Sequence, residues 1–140
     1  MKCKWSSKIN NELIFNHEAD DSGYCIFHKK HKTKEENKEV IKLIKEKKIS
    51  DFSGFIFEEN FNINEVIDYS YKELNFTETT FIKEVLFNNY IFKGKTIFNQ
   101  TNFLDFTTFI NSKFRYTAIF NNVIFNSKYS NKKIFMGVEF

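Results

Sequence analysis

Phenylalanine recurs in this chain at steps that alternate between five and six: Phe76, Phe81, Phe87, Phe92, Phe98, Phe103, Phe109, Phe114, Phe120 and Phe125. The series has no miss and gives an 11-residue period. Such a period also suits a right-handed helical supercoil, but helix geometry rejects that here. Five residues at roughly 100° each put Phe76 and Phe81 about 140° apart, on different faces. The residues between the aromatics are rich in Thr, Asn, Ile and Val, which favour strands and turns. Upstream, Ile56, Phe61, Val66 and Tyr71 lead to Phe76 in steps of five, and downstream Phe125, Ser130, Phe135 and Phe140 do the same.

A second series runs two residues ahead of each Phe: Leu74, Thr79, Val85, Tyr90, Thr96, Thr101, Thr107, Ser112, Ala118 and Val123. Strand side chains alternate with period two, so each of these points the same way as its Phe. Most are small, so small and large groups share one narrow interior. Asn, Lys, Glu and Thr fall outside, with Asn suited to the corners because it tolerates the left-handed backbone region.

The stretches Thr96-Ile-Phe-Asn-Gln-Thr-Asn-Phe103 and Ser112-Lys-Phe-Arg-Tyr-Thr-Ala-Ile-Phe120 resemble the pentapeptide-repeat family. The resemblance implies an all-β fold, a right-handed quadrilateral β-helix with inward large and small residues. The alternation of five and six predicts 22 residues per coil, against about 20 for strict five-residue units. Tyr24-Cys-Ile-Phe-His28 and Asp51-Phe-Ser-Gly-Phe-Ile-Phe57 are also similar to elements of one subgroup of that family. That subgroup carries an N-terminal Cys/His segment and a charged helix ahead of its repeats.

Three segments follow from composition. Residues 1–32 hold both Cys and all three His and read as a small cap. Residues 33–49 read as an amphipathic capping helix, opened by the capping-box pattern Thr33-Lys-Glu-Glu36. Val40, Ile41, Leu43 and Ile44 give it one apolar stripe to lay over the first coil. Residues 50–140 are the β-helix. At its far end Phe135, Met136 and Phe140 lie near an open edge. Open edges invite pairing, so the expectation is a homodimer through the C-terminal coil or a chain that continues.

Cys25-x-x-His28 can hold two corners of a tetrahedral zinc site, with Cys3 as third ligand and His17 as fourth. His31 competes for the fourth place. One structural zinc and simple packing of a small cap are both open readings of these residues.

Catalysis finds little support. Residues 51–140 contain neither His nor Cys, so a Ser or Thr there has no histidine base near in sequence. The four Gly are isolated, so no phosphate-cradling loop exists. The chain is expected to be non-enzymatic, a scaffold that binds a protein partner. The alternative is a DNA mimic that modulates a type II topoisomerase such as gyrase. Mimicry needs phosphate-like charge along the rod, and residues 51–140 carry 9 basic against 10 acidic groups. Residues 1–50, with 12 Lys and 8 acids, allow a weaker nucleic-acid reading for the cap. The net charge of +3 makes nucleic acid an unfavoured partner overall. The first eight residues form no signal peptide and no apolar run is long enough for a membrane span, so a cytoplasmic location is expected.

Overall fold

The computed structural model describes residues 2–7, 18–68, 72–126, 128 and 134–140. Ser130 and Tyr71, members of the flanking series of fives, lie outside the described residues, as does His17.

Helix α1 spans Lys34–Lys47. Thr33 caps it: its hydroxyl accepts from the Glu36 N–H at 3.1 Å, and the Glu36 carboxylate accepts from the Thr33 N–H at 2.9 Å. Lys48 ends the helix in the left-handed region, with its N–H returned to the Ile44 carbonyl. Val40 and Ile44 are buried while the lysines of the last turn face solvent, complementing the negative end of the helix dipole. Thr33→Ala is expected to cost about 0.5–2 kcal/mol, with the loss confined to hydrogen-exchange protection in the first turn of α1.

The rest is a β-solenoid of two-residue strands. In chain order they are β1 (Ile56–Phe57), β2 (Phe61–Asn62), β3 (Leu74–Asn75), β4 (Thr80–Phe81), β5 (Val85–Leu86) and β6 (Ile91–Phe92). There follow β7 (Thr96–Ile97), β8 (Asn102–Phe103), β9 (Thr107–Thr108), β10 (Lys113–Phe114), β11 (Ala118–Ile119) and β12 (Ile124–Phe125). A single helical turn, α2 (Ile63–Val66), interrupts the first coil. The strands form four narrow parallel sheets, in the orders β1-β4-β8-β12, β2-β5-β9, β3-β7-β11 and β6-β10. The chain visits the four sheets in rotation. Through the middle of the molecule each residue pairs with the one 22 positions on, as Leu74 with Thr96 and Phe81 with Phe103. The predicted 22-residue coil is therefore present there.

Neighbouring strands of a sheet lie about 4.7–4.9 Å apart, which is also a comfortable separation for stacked rings. Phe at one position of successive coils therefore makes a column. Phe52, Phe76, Phe98 and Phe120 stack with centroids 4.7, 5.2 and 4.9 Å apart. Phe57, Phe81, Phe103 and Phe125 stack at 5.1, 5.2 and 5.1 Å. Phe87, Phe109 and Phe135 form a third column at 4.7 and 5.3 Å, and Phe92, Phe114 and Phe140 a fourth at 4.4 and 5.3 Å. Between columns the rings meet edge to face, as Phe98 meets Phe109 at 88°. Fully burying each Phe contributes about 1.5–3 kcal/mol, and each well-placed ring pair about 0.5–1.5 kcal/mol more.

The small inward residues are buried too, from Leu74 to Ser112, with Ala118 and Val123 half-buried on the last coil. Their hydroxyls find backbone carbonyls. Thr79 donates to Phe52 at 2.8 Å, Thr101 to Phe76 at 2.8 Å, and Tyr90 to Ile67 at 2.7 Å.

The alternation of five and six has a backbone cause. Glu78, Asn89, Gln100, Asn111 and Asn122 have φ of 54° to 57° and follow Phe76, Phe87, Phe98, Phe109 and Phe120 by two. Each of the first four sits at the third place of a β-turn, where type II geometry requires positive φ, and Asn122 takes the matching place of a bend. Three of these turns are closed by Thr79 N–H to Phe76, Thr101 N–H to Phe98 and Ser112 N–H to Phe109. Sides that begin with such a tight corner need five residues, and the intervening sides take six. Asn holds three of the five left-handed positions. Glu78 and Gln100 hold the others.

Upstream of Phe76 the phase differs from the series of fives. Ile56 is only half-buried, and its neighbour Phe57 occupies the column under Phe81. Phe61 pairs with Val85 and so takes a small-residue position, leaving Ile63 as the buried residue two places on. The first coil is 24 residues, as in Ile56 facing Thr80 and Phe61 facing Val85. The register changes from 24 to 22 between Asn62 and Leu74. At the far end the step is longer again, with Lys113 facing Glu139, 26 positions on.

Candidate metal centre

The cap places Cys3, Cys25 and His28 side by side, all 3% exposed or less. Cys25 and His28 come together because residues 25–28 form one turn. The Cys25 carbonyl accepts from the N–H groups of His28 at 3.1 Å and Lys29 at 3.0 Å. Cys3 arrives from a separate strap, Lys2–Ser7, which pairs with the 18–24 segment. Lys2 bridges Glu18 in antiparallel fashion, and the Lys4 N–H donates to the Gly23 carbonyl at 3.0 Å. Gly23 takes a φ of +86° to close the turn that aims this segment back at the strap.

Both sulfurs approach the same nitrogen. His28 Nδ1 lies 3.0 Å from Cys25 Sγ and 3.3 Å from Cys3 Sγ. Its other nitrogen, Nε2, is 2.8 Å from the Ser53 carbonyl, which can only accept. The proton is therefore on Nε2, and the Nδ1 lone pair faces the two sulfurs. Cys3 Sγ also accepts the Cys25 N–H at 3.1 Å. Burial, reinforced by the adjacent Cys3 thiol, pushes Cys25 up to about 12.

A metal-ligating imidazole characteristically donates its second N–H to a carbonyl or carboxylate, which fixes its tautomer and ring plane. His28 and Ser53 have that arrangement. The three ligand atoms lie within 4.8 Å of one another, so one cation can bridge them. Two thiols directed at one lone pair also make a poor hydrogen-bonding set, because Nδ1 accepts only one proton well. A cation held by Cys3 Sγ, Cys25 Sγ and His28 Nδ1 would accept a lone pair from each. Cys3, Cys25 and His28 thus form a group able to bind a metal ion.

His31 is not part of this group. It is exposed at φ 58°, with its N–H given to the Glu58 carboxylate at 3.0 Å. Its place in the sequence suited a fourth ligand, but the turn that follows His28 carries it towards Glu58.

Sequence reasoning passed over three residues that complete the centre. Ser53 supplies the carbonyl. Trp5 stacks on the His28 ring, with centroids 4.6 Å apart and planes 2° from parallel. Gly54, at φ +72°, leaves room for that indole, since a Cβ there would stand 2.0 Å from Trp5 Cε2. The available signal was the single Trp two residues after Cys3.

Charged groups hold the cap onto its neighbours. Lys29 lies 2.7 Å from Asp20 and 2.6 Å from Glu36, joining the cap to the start of α1. The two carboxylates raise Lys29 to about 12. Lys32 has no exposed side-chain surface and donates to the carbonyls of Lys29 at 2.6 Å and Ile56 at 2.7 Å. Burial lowers it to about 8 although Glu58 lies 4.0 Å away.

No family model, curated protein or solved structure matches this chain. Among the described residues, no helix is long and apolar enough to cross a membrane.

Proposed function

We propose that the chain is a non-enzymatic, protein-binding scaffold: a right-handed quadrilateral β-helix of the pentapeptide-repeat type, whose cap holds one structural zinc. The observation that carries the scaffold reading is the register. Outward residues recur in columns on rigid walls, with Thr80 over Asn102, Ile82 over Leu104 and Lys93 over Arg115. Such columns present repeated groups at fixed spacing, which suits recognition better than chemistry. Inward hydroxyls are already committed to backbone carbonyls, so they are poor nucleophiles.

The same columns weigh against DNA mimicry. Lys93 over Arg115, and Lys113 3.6 Å from Glu139, give the β6-β10 wall mixed charge where a mimic needs continuous acid. Binding of the purified protein to gyrase and to duplex DNA, at low and moderate salt, separates the readings. A scaffold for another protein binds neither. Tight gyrase binding replaces it with mimicry, and salt-sensitive DNA binding replaces it with a nucleic-acid role for the basic cap.

A second copy docking through the last coil belongs to the same proposal. Phe140 is 78% and Met136 56% exposed there, although Phe140 stacks on Phe114 and half-buried Phe135 on Phe109. Sedimentation of wild type against Phe140→Glu reads this directly. Equal, monomeric mass for both ends the dimer proposal.

Zinc is favoured over harder cations because two of the three ligands are thiols. Protein purified with zinc present is expected to retain about one equivalent, and Cys25→Ser to lose most of it. Wild type holding less than about one-tenth equivalent refutes the zinc assignment.

A further inference from the structure

We infer that occupancy of the Cys3–Cys25–His28 site decides whether the strap Lys2–Ser7 lies on the solenoid or swings off it. This rests on the zinc reading above. Cys3 and Trp5 both converge on the His28 ring, Cys3 through Nδ1 at 3.3 Å and Trp5 across its face at 4.6 Å. His28 in turn is tied to the first coil through Ser53, and Trp5 covers Gly54 of the same turn. The His28 ring therefore links the strap to the solenoid, beside the seat of Trp5 on Gly54.

Without a cation, that join is internally opposed. The single Nδ1 lone pair faces two buried sulfurs and accepts one proton well, so the other thiol is left to its neighbour's sulfur, a weak acceptor. Moving one thiol away is the simplest relief. Cys25 is fixed by its turn with His28, whereas Cys3 sits on a short strap whose ties to the 18–25 segment include the Lys4 N–H to the Gly23 carbonyl and the Cys25 N–H to Cys3 Sγ. Cys3 therefore leaves, and Trp5 leaves with it. With a cation, both sulfurs are thiolates and the opposition disappears, so metal binding and strap docking are one event.

Docking has a structural consequence. Lys4, Trp5 and Ser6 form one wall of a groove of about 650 Å³, whose other wall includes Gly54, Thr80 and Asn102 of the solenoid. Strap release removes the first wall, so the groove belongs to the metal-loaded protein alone.

The chain has one Trp, so indole fluorescence reports the strap directly. Zinc-loaded full-length protein is titrated with a chelator while emission maximum, acrylamide quenching, far-ultraviolet circular dichroism and bound zinc are followed together. The expected result is a red shift and a several-fold rise in quenching as zinc leaves, with the β spectrum retained and both changes reversed by added zinc. Cys3→Ser is expected to show the released emission from the start and no response to zinc. Zinc that is bound and stripped while Trp5 emission and quenching stay constant overturns the inference and leaves the zinc assignment standing. Collapse of the β spectrum on chelation also overturns it, because the ion then supports the whole fold. Failure of wild type to bind zinc removes the assignment, and the strap inference with it.

Discussion

Phe103→Ala is expected to destabilise the protein by about 3–5 kcal/mol, the range for truncating a large ring in a closed core. Phe103 is completely buried and sits mid-column, between Phe81 at 5.2 Å and Phe125 at 5.1 Å. Phe87, Phe98 and Phe109 meet it from the side at 6.2, 6.2 and 6.3 Å. Truncation thus breaks two stacks and leaves a void ringed by aromatic groups. Those rings are held by strands above and below, so the cavity cannot collapse without breaking sheet register. Phe140→Ala is the control. Phe140 has one comparable stack, on Phe114 at 5.3 Å, but 78% exposure, and its loss should cost less than about 1 kcal/mol. Urea denaturation of the three proteins measures the contrast. A Phe103→Ala cost no larger than that of Phe140→Ala means the columns do not form the core.

The middle of the solenoid was legible because two independent constraints agree there. Between Phe76 and Phe125 the aromatic spacing and the small residues two places ahead both mark the interior, and all ten Phe of that series stand in the four columns. The left-handed corners repeat with the same 11-residue step, so backbone and side chains carry one period. Upstream the constraints separate. Phe55-Ile-Phe57 offers three consecutive apolar residues, and counting in fives selects Ile56, whereas the strand register selects Phe57. Phase is then set by the change of register from 24 to 22 between Asn62 and Leu74, which spacing alone does not locate. Phe61 shows the same ambiguity, since it is large yet fills a position held by Val85 and Thr107 on later coils.

The candidate site was legible to a different degree. Cys25 and His28 are three residues apart, so their proximity is local and follows from one turn. Cys3 reaches them across 22 residues only because the strap and the 18–24 segment pair, and pairing of two short segments leaves little periodic signal. The part played by Ser53 was hidden for another reason. Its contribution is a backbone carbonyl, which any residue type could offer. Trp5 and Gly54 form the most informative pair in retrospect, since each explains the other's residue type.

Gly54→Ala carries that pairing into an experiment. At φ +72° an L-residue costs roughly 1–2 kcal/mol relative to Gly. The new methyl also meets Trp5 Cε2 at 2.0 Å and Cζ2 at 2.2 Å, a rigid ring that is itself stacked on His28. Overpacking of this kind adds about 1–3 kcal/mol, unless the indole leaves its place. Two outcomes are therefore coupled: a total cost of about 2–5 kcal/mol, or a smaller one accompanied by red-shifted Trp5 emission. Gly137→Ala separates the backbone share. Its φ is +70°, but the atom a Cβ would meet at 2.1 Å is Asn111 Oδ1, at the end of a side chain that can rotate. It should show little beyond the left-handed penalty of about 1–2 kcal/mol. If Gly54→Ala costs no more than Gly137→Ala and Trp5 emission does not move, the indole is not seated on that turn.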